Sequence, residues 1–159
     1  MLVLGIDPGI GTTGFGLVRE SDQGKLINIQ YGVILTPVGE PLEKRLLILY
    51  DQLSLLVDKF QPHCFAVEKL FFQKNVSTAM SVGQARGVVF LAAAKAGLSI
   101  FEYTPMEIKQ AVSGYGGADK RQIQKMVQVI LELDRSPSPD DAADALAVAI
   151  CHLNHKTFL

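Results

Sequence analysis

The chain has 159 residues, 48% of them hydrophobic, and a formal net charge of −1 at pH 7. This length and composition predict a single domain, residues 1–159, with a full hydrophobic core, and the near-zero charge argues against a strongly basic nucleic-acid binder. The longest apolar run, 88–94, is far shorter than the roughly 18 residues that suggest a membrane span, and no basic segment precedes the first apolar run. We therefore expect neither a transmembrane helix nor a signal peptide, but a cytoplasmic protein.

The first 60 residues predict three strands and a helix. Residues 2–7 and 12–19 are short apolar segments joined by a glycine-rich connection, which is typical of a hairpin. Residues 26–35 are rich in β-branched and aromatic residues and predict a third strand. Leucines at helical spacing then predict a helix over 41–60, and Pro62 follows its end.

The rest of the chain alternates between strands and helices. Thr104 with Pro105, and Asp119 with Gln122, carry the signals of helix starts. The order predicts an α/β fold, with a five-stranded mixed sheet covered by helices on both faces, and we expect the last few residues to be loose. The remaining predicted elements are strands over 63–67 and 98–103, and helices over 76–96, 104–112, 119–133 and from 140 or 141 to 153.

Four acidic residues stand at the ends of apolar segments: Asp7, Glu68, Asp141 and Asp144. In the predicted sheet, Asp7 and Glu68 lie on neighbouring central strands, whereas Asp141 and Asp144 are three residues apart and share one face of the last helix. A carboxylate at the end of a buried element is costly unless a cation satisfies it. We therefore predict that the four carboxylates converge on bound metal ions.

Each acid alone also has an ordinary explanation. Asp7 can bond to the glycine-rich turn, and Glu68 is ambiguous by itself. An acid in the first turn of a helix is favoured by the helix dipole by about 0.3 to 1 kcal/mol, which explains Asp140 and can explain Asp141. Asp144 lies deeper, among alanines, where a solvated acid is less expected. The prediction depends on the whole set rather than on one member.

An all-carboxylate set suits Mg²⁺, with Mn²⁺ as a substitute, better than Zn²⁺. Two such ions about 3.5 to 4 Å apart can hold an attacking water and a leaving oxygen in line on one phosphate, which predicts two ions per site and phosphodiester hydrolysis. The three histidines, His63, His152 and His155, are interpreted as structural or solvent-facing. Proton transfer assisted by His152 or His155 stays open.

Four segments in order, GIDPGIGTTGFG, AVEKLFF, SVGQARGV and PDDAADALAVAICH, resemble the RuvC crossover junction endodeoxyribonuclease family over essentially the whole chain. The resemblance implies a ribonuclease H-like fold and a homodimer that resolves four-way Holliday junction DNA by two symmetric nicks in homologous recombination and DNA repair. It makes Asp7, Glu68, Asp141 and Asp144 the catalytic Mg²⁺ ligands, and implies products with 5′-phosphate and 3′-hydroxyl ends. A short T-containing cleavage sequence and partnership with a RuvA–RuvB branch-migration complex are also implied.

The resemblance also implies DNA contacts. Phe71 matches an aromatic at the junction centre, where a ring stacked on unpaired bases contributes about 1 to 3 kcal/mol per base, although a core phenylalanine is the ordinary alternative for it and for Phe72. Lys109 and Lys120 match lysines that hold phosphates, and the ordinary alternative is a solvated surface lysine. Weaker candidates for contacts to the DNA backbone are Lys74, Arg86 and Arg121.

Small residues recur every four positions on the helix predicted over 76–96, at Ala79, Gly83 and Gly87. Such a stripe allows another backbone to approach closely, and it can face either a twin helix or the protein's own sheet. The family's use of this region for pairing favours a dimer interface.

Two other functions remain as alternatives. GIDPGIGTTGFG also resembles the phosphate-binding hairpin of actin-like and sugar-kinase ATPases, so a nucleotide-dependent phosphotransferase is the second interpretation. The length disfavours it, because such folds need two related domains around the nucleotide. A non-catalytic junction-binding protein is the third, and it would predict the loss of at least one acid.

Overall fold

The computed structural model of the protein describes residues 1–70 and 75–155. Within these residues, five strands form one mixed sheet in the order β3-β2-β1-β4-β5. The first three strands are antiparallel neighbours, and β4 and β5 run parallel to β1. The prediction of a five-stranded mixed sheet is thus confirmed. The strands are β1 (Leu2–Asp7), β2 (Thr12–Glu20), β3 (Leu26–Leu35), β4 (Cys64–Glu68) and β5 (Ser99–Tyr103).

The helices begin where the capping signals predict. The Thr104 hydroxyl accepts a hydrogen bond from the backbone N–H of Glu107, whose side chain accepts one from Thr104 in return, and Asp119 forms the same capping box with Gln122. Gly97, with φ of 71°, follows the end of the second helix. The helices are α1 (Leu42–Phe60), α2 (Val76–Lys95), α3 (Pro105–Ser113), α4 (Lys120–Ile130) and α5 (Asp140–His155).

The largest difference from the predicted boundaries is the end of α4, which stops at Ile130 rather than at residue 133. Apolar residues continue beyond that point, so the sequence pattern alone favours a longer helix. In the structure Glu132 adopts a left-handed conformation with φ of 51°, and the backbone N–H of Leu133 bonds back to Gln128. This turn ends the helix and buries Leu131.

Helices cover both faces of the sheet, as predicted. On one face, α3, α4 and α5 pack against Val3, Val18 and Ala66. On the other face, α1 and α2 pack against Leu4 and Phe65, their neighbours in β1 and β4. Because side chains alternate along a strand, odd-numbered residues of β1 and even-numbered residues of β4 point towards α5.

The contact between α5 and the sheet depends on glycines in the strands. Gly5 and Gly16 are register partners in β1 and β2, and Gly14 lies on the same face of β2. A Cβ atom built on Gly14 would overlap the main-chain oxygen of Asp141, and one on Gly5 would overlap that of Ala145. The glycines therefore let α5 lie directly against the strands, with the start of the helix beside the end of β1.

We expect Gly14→Ala to destabilise the protein by about 1 to 3 kcal/mol or more, because the added methyl group has no space unless α5 moves away from the sheet. Thermal unfolding measures the loss. Gly39→Ala is the matched control, since a Cβ at Gly39 meets no atom within 4 Å. If Gly14→Ala unfolds at the wild-type temperature, the close approach of α5 to β2 is wrong.

The predictions for Phe71, Phe72 and Lys74, and for the last few residues of the chain, lie outside the described residues. Among the helices that the structure does describe, none is long and apolar enough to cross a membrane.

Candidate active site

Asp7 and Glu68 lie side by side at the carboxyl ends of two neighbouring strands in the middle of the sheet. Asp7 is the last residue of β1 and Glu68 is the last residue of β4, and these strands are parallel neighbours with Ile6 opposite Val67. The alternation along each strand points both carboxylates towards the α5 face. Asp141 and Asp144 stand in the first two turns of α5, and the backbone of Asp141 lies against Gly14. The structure thus brings the four predicted acids to one place.

The four carboxylates act on one another electrostatically. Burial, the negative charges of Asp144, Asp141 and Glu68, and a hydrogen bond with the Asp141 side chain together raise the pKa of Asp7 to about 8. Burial also raises the pKa of Glu68 and of Asp144 above their ordinary values. Negative charge gathered in a partly buried place is unfavourable until a cation compensates it.

Among residues 1–70 and 75–155, no three His, Cys, Asp or Glu side chains stand as a ready set of ligands for one metal ion. The donor chemistry nevertheless fits a hard divalent cation, since all four groups offer carboxylate oxygens, and the raised pKa values of Asp7, Glu68 and Asp144 are those of a cluster short of positive charge. Carboxylate side chains can turn between staggered rotamers without any change of backbone. The metal-binding role of the four acids remains a prediction.

Two lysines border the acids on one side. A cleft of about 400 Å³ is lined by Glu68, Lys109, Lys120 and Asp144. The Lys120 ammonium group lies 3.4 Å from a carboxylate oxygen of Asp144 and 3.4 Å from one of Asp140. Burial opposes the charge of Lys120, yet the carboxylates of Asp144 and Asp140 raise its pKa above the ordinary value. The structure therefore places the predicted phosphate-binding lysines at the acid cluster.

A second cleft, of about 310 Å³, opens on the other side of Glu68 and is lined by Asp7, Lys69 and Arg86 among others. Arg86 lies in this cleft, but its guanidinium group bonds to the main-chain oxygen of Glu68 and to the carboxylate of Glu102. Arg121 is exposed and lines a separate groove beside α4 together with Lys125. The structure thus brings Arg86 to the acids and leaves Arg121 outside both clefts.

The histidines have structural partners. The ring of His152 is buried, with Nδ1 lying 2.6 Å from the Tyr103 hydroxyl and Nε2 lying 3.4 Å from the Cys64 sulfur. His63 accepts a hydrogen bond from the backbone N–H of Leu2. His155 is half-buried beside Cys151. Proton transfer through His152 would require the ring to leave these contacts, so the structural interpretation is favoured for it.

The three small residues of the α2 stripe differ in their surroundings. Ala79 lines the second cleft and Gly83 is half-buried, whereas Gly87 is exposed and faces away from the protein's own sheet. The helix buries Ala85 and Val89 against the strands, whereas a Cβ added at Gly87 meets no atom within 4 Å. Apolar side chains extend this outward face, since Met80 is 61% exposed and Leu91 59% exposed. The sequence left two possibilities for this stripe, a twin helix or the protein's own sheet. Gly87 does not pack on the protein's own sheet, so its side of α2 is open to a partner.

We expect Asp7→Asn to make the metal-free protein more stable than the wild type. The Asp7 carboxyl has a pKa of about 8 in the folded chain against 3.8 ordinarily, so the folded state holds a proton that the unfolded state releases, and wild-type stability falls as the pH rises between these values. The variant lacks this dependence. At pH 8 in EDTA its advantage should be of the order of 2 kcal/mol, after allowance for partial solvent access.

Thermal unfolding across this pH range measures the effect. Addition of Mg²⁺ should reverse the order, because the wild type alone keeps the full set of carboxylates. The exposed neighbour Asp140 provides the control, since Asp140→Asn should give no such gain. Equal stability of Asp7→Asn and wild type at every pH would contradict the electrostatic cost assigned to Asp7.

A sequence profile of the family described as "Crossover junction endodeoxyribonuclease RuvC" matches residues 3–152. The chain belongs to this family. It is therefore a crossover junction endodeoxyribonuclease, as its sequence motifs predicted, and the family's enzymes are metal-dependent nucleases. The alternatives of an actin-like phosphotransferase and of a non-catalytic binding protein are not favoured.

Individual relatives agree with the family assignment. The chain is 53% identical over 159 residues to the RuvC endodeoxyribonuclease of Desulfitobacterium hafniense, covering 100% of this chain and 96% of that protein. It is 57% identical over 152 residues to that of Chloroflexus aggregans, covering 96% of this chain and 92% of that protein. The structure of Thermus thermophilus RuvC in complex with a Holliday junction substrate matches with a TM-score of 0.94 at 37% identity, covering 99% of this chain and 96% of that one.

A structure of much lower sequence identity has the same fold. The yeast mitochondrial Holliday junction resolvase Ydc2 matches 98% of this chain and 78% of its own, with a TM-score of 0.72 at 15% identity. At this identity only the fold is shared. Together with the RuvC structures it confirms the predicted ribonuclease H-like fold.

Proposed function

We propose that the protein binds four-way Holliday junction DNA and that Asp7, Glu68, Asp141 and Asp144 form the catalytic site that hydrolyses its phosphodiester bonds. The observation that carries the proposal is the meeting of four carboxylates from β1, β4 and α5 in a partly buried place, where burial and neighbouring negative charges raise the pKa of Asp7, Glu68 and Asp144. Asp7, Glu68, Asp141 and Asp144 would hold two Mg²⁺ ions, or Mn²⁺ in their place, and these ions would supply the positive charge that stabilises the attacking water and the leaving oxygen.

The surrounding residues hold and orient the DNA. Lys109 and Lys120 line the cleft beside Glu68 and Asp144, where an ammonium group can bind a phosphate next to the scissile bond. A water held opposite the 3′-oxygen would form a bond to phosphorus and lose a proton while the bond from phosphorus to the 3′-oxygen breaks and that oxygen takes up a proton, so the phosphate stays on the 5′ end and the other product ends in a 3′-hydroxyl. Contacts further along the DNA are proposed for Phe71 and Phe72, by base stacking, and for Lys74 and Arg121, by phosphate binding.

A homodimer would give the two symmetric cuts. The outward face of α2, formed by Gly87, Met80 and Leu91 and flanked by the half-buried Ala79 and Gly83, offers an exposed and largely apolar surface on which the same helix of a second copy can pack. A two-fold axis through this face relates two acid clusters. Each protomer then cuts one of two strands of like polarity, and the products can be ligated.

The biological setting follows from the substrate. Junctions arise from strand exchange, so we propose a role in recombination and repair together with a RuvA–RuvB branch-migration complex. A cytoplasmic location is part of this proposal.

The test compares a synthetic four-way junction with a plain duplex of the same sequence, each with Mg²⁺, with excess EDTA and with ATP. We expect cleavage of the junction alone, dependent on Mg²⁺ and independent of ATP. Undiminished cutting in EDTA would overturn the metal-dependent mechanism, and equal cutting of the duplex would overturn the junction specificity.

A further inference from the structure

Arg86 has an arrangement that differs from that of an arginine presented to DNA. Its side chain is only 12% exposed, and its guanidinium group lies 5.0 Å from the centre of the Phe90 ring. One terminal nitrogen donates a hydrogen bond to the main-chain oxygen of Glu68, and the other donates to the carboxylate of Glu102. The planar group is thus held on two sides by the protein, and little of it is left for a phosphate.

The two bonded residues lie at the ends of adjacent strands, with Glu68 the last residue of β4 and Glu102 the last but one of β5. Glu68 closes β4 and stands opposite Tyr103 in β5, next to Glu102. The carboxylate of Glu68 points to the α5 face, whereas Arg86 approaches from α2 on the opposite face and holds the main chain. Beyond the paired residues, the backbone N–H of Lys69 bonds to the Tyr103 carbonyl at 2.7 Å. Arg86 therefore joins the ends of both strands to α2 at the position from which the Glu68 side chain projects.

We propose that Arg86 is a positioning residue, which holds the end of β4 so that the Glu68 carboxylate is directed into the acid cluster. This inference rests on the proposed function, because it requires Glu68 to be one of the catalytic acids. Arg86 precedes Gly87, whose face of α2 is the proposed dimer surface. The same bridge thus connects the pairing helix to the acid cluster.

The experiment compares Arg86→Met, Arg86→Lys and Glu102→Gln with the wild type. Three quantities are measured: the single-turnover cleavage rate at saturating enzyme, the dependence of junction affinity on salt, and the Mg²⁺ concentration that raises the unfolding temperature. We expect Arg86→Met to lower the cleavage rate and the apparent Mg²⁺ affinity by about 10 to 100-fold, as loss of a residue that orients a ligand does. Junction affinity and its salt dependence should stay at the wild-type values.

The other two variants separate positioning from phosphate binding. Arg86→Lys keeps the charge but cannot form both arms of the bridge, so it should lose nearly as much cleavage as Arg86→Met. Glu102→Gln keeps an acceptor of the same size and should show a smaller loss in the same direction. The double variant Arg86→Met/Glu102→Gln should cleave no more slowly than Arg86→Met alone, since both changes break one bridge.

Three results would overturn the inference. One is weaker junction binding by Arg86→Met together with a normal cleavage rate at saturating enzyme. In that case the slope of log affinity against log salt concentration should fall by about 1, as it does when one phosphate contact is lost. Another is normal cleavage by Arg86→Lys. The third is normal cleavage and Mg²⁺ response in both Arg86→Met and Glu102→Gln. Asp144→Asn is assayed in parallel: if it also cuts normally, the proposed catalytic site fails, whereas if it is inactive, only the role of Arg86 fails.

Discussion

Asp144→Asn should lower the rate of junction cleavage by at least about 1000-fold, which corresponds to about 4 kcal/mol of lost transition-state stabilisation. The substitution keeps the size of the side chain and removes its negative charge. Asp144 raises the pKa of both Asp7 and Glu68, so it lies within electrostatic reach of both strand-borne acids. Loss of its carboxylate therefore weakens the proposed metal site at its centre.

Junction binding should survive the same substitution. One negative charge fewer beside the DNA phosphates leaves affinity unchanged or slightly higher, and it frees Lys120 from the ion pair at 3.4 Å. Single-turnover cleavage and a gel-shift titration of the same preparation measure the two properties separately. A variant that neither cuts nor binds would indicate misfolding rather than a lost ligand, and circular dichroism would detect it.

The control comes from the first turn of the same helix. Asp140 also pairs with Lys120 at 3.4 Å, but its side chain is 66% exposed and bonds to Gln124. Asp140→Asn removes an equal charge from the helix start, with an expected cost of about 0.3 to 1 kcal/mol in stability and no large change in cleavage. Normal cutting by Asp144→Asn, or equal loss in both variants, would contradict the specific role of Asp144.

The order of the elements was predictable because local signals agreed with the tertiary structure. The apolar runs of the strands and the capping residues of α3 and α4 depend on neighbours a few positions away, and the observed elements mostly begin and end within about one residue of the predicted positions. The end of α4 was not predictable in this way. It depends on a left-handed turn at Glu132, for which the sequence offers neither glycine nor asparagine.

Some parts of the candidate site were predictable from the sequence and others were not. The positions of the four acids followed from the predicted ends of two strands and the predicted start of the last helix. Parallel neighbouring strands bring their carboxyl ends together, so Asp7 and Glu68 were expected to be neighbours. Lys109 and Lys120 were named from the family resemblance, and the structure then placed them at the acids. The bridge from Arg86 to Glu102 joins residues 16 positions apart on different elements, so no local pattern reports it.

The strand glycines are a further sequence signal for the close contact between α5 and the sheet. Gly14 and Gly16 are two apart on β2 and therefore share a face, and Gly5 has the same parity as Asp7 on β1. Glycines gathered on one face of a sheet indicate close approach by another backbone. The small side chains of Ala145 and Ala149 also allow that approach, but they supply only the helix side of the contact.

Gly87→Gln should convert the proposed dimer into a folded monomer. Gly87 lies opposite the buried face of α2 and has open space around it, so the new side chain fits the single chain. Glutamine is also a better helix former than glycine, by roughly 0.5 to 1 kcal/mol, so the monomer should be at least as stable as before. In a dimer, however, the same side chain would separate two helices that glycine allows to pack closely.

The effect of Gly87→Gln on paired cleavage can be measured with a supercoiled plasmid that carries a cruciform. Two cuts within one binding event give linear DNA, whereas a single cut relaxes the plasmid, removes the cruciform and leaves a nicked circle. We expect the linear product of Gly87→Gln to fall by at least about tenfold in favour of nicked circles, because the second active site is no longer held at the junction. Gly39→Gln, the same substitution at an open loop position, should keep both the dimer and the linear product. Light scattering gives the oligomeric state, and a dimeric Gly87→Gln that still makes linear DNA would show that the two copies do not pair through this face of α2.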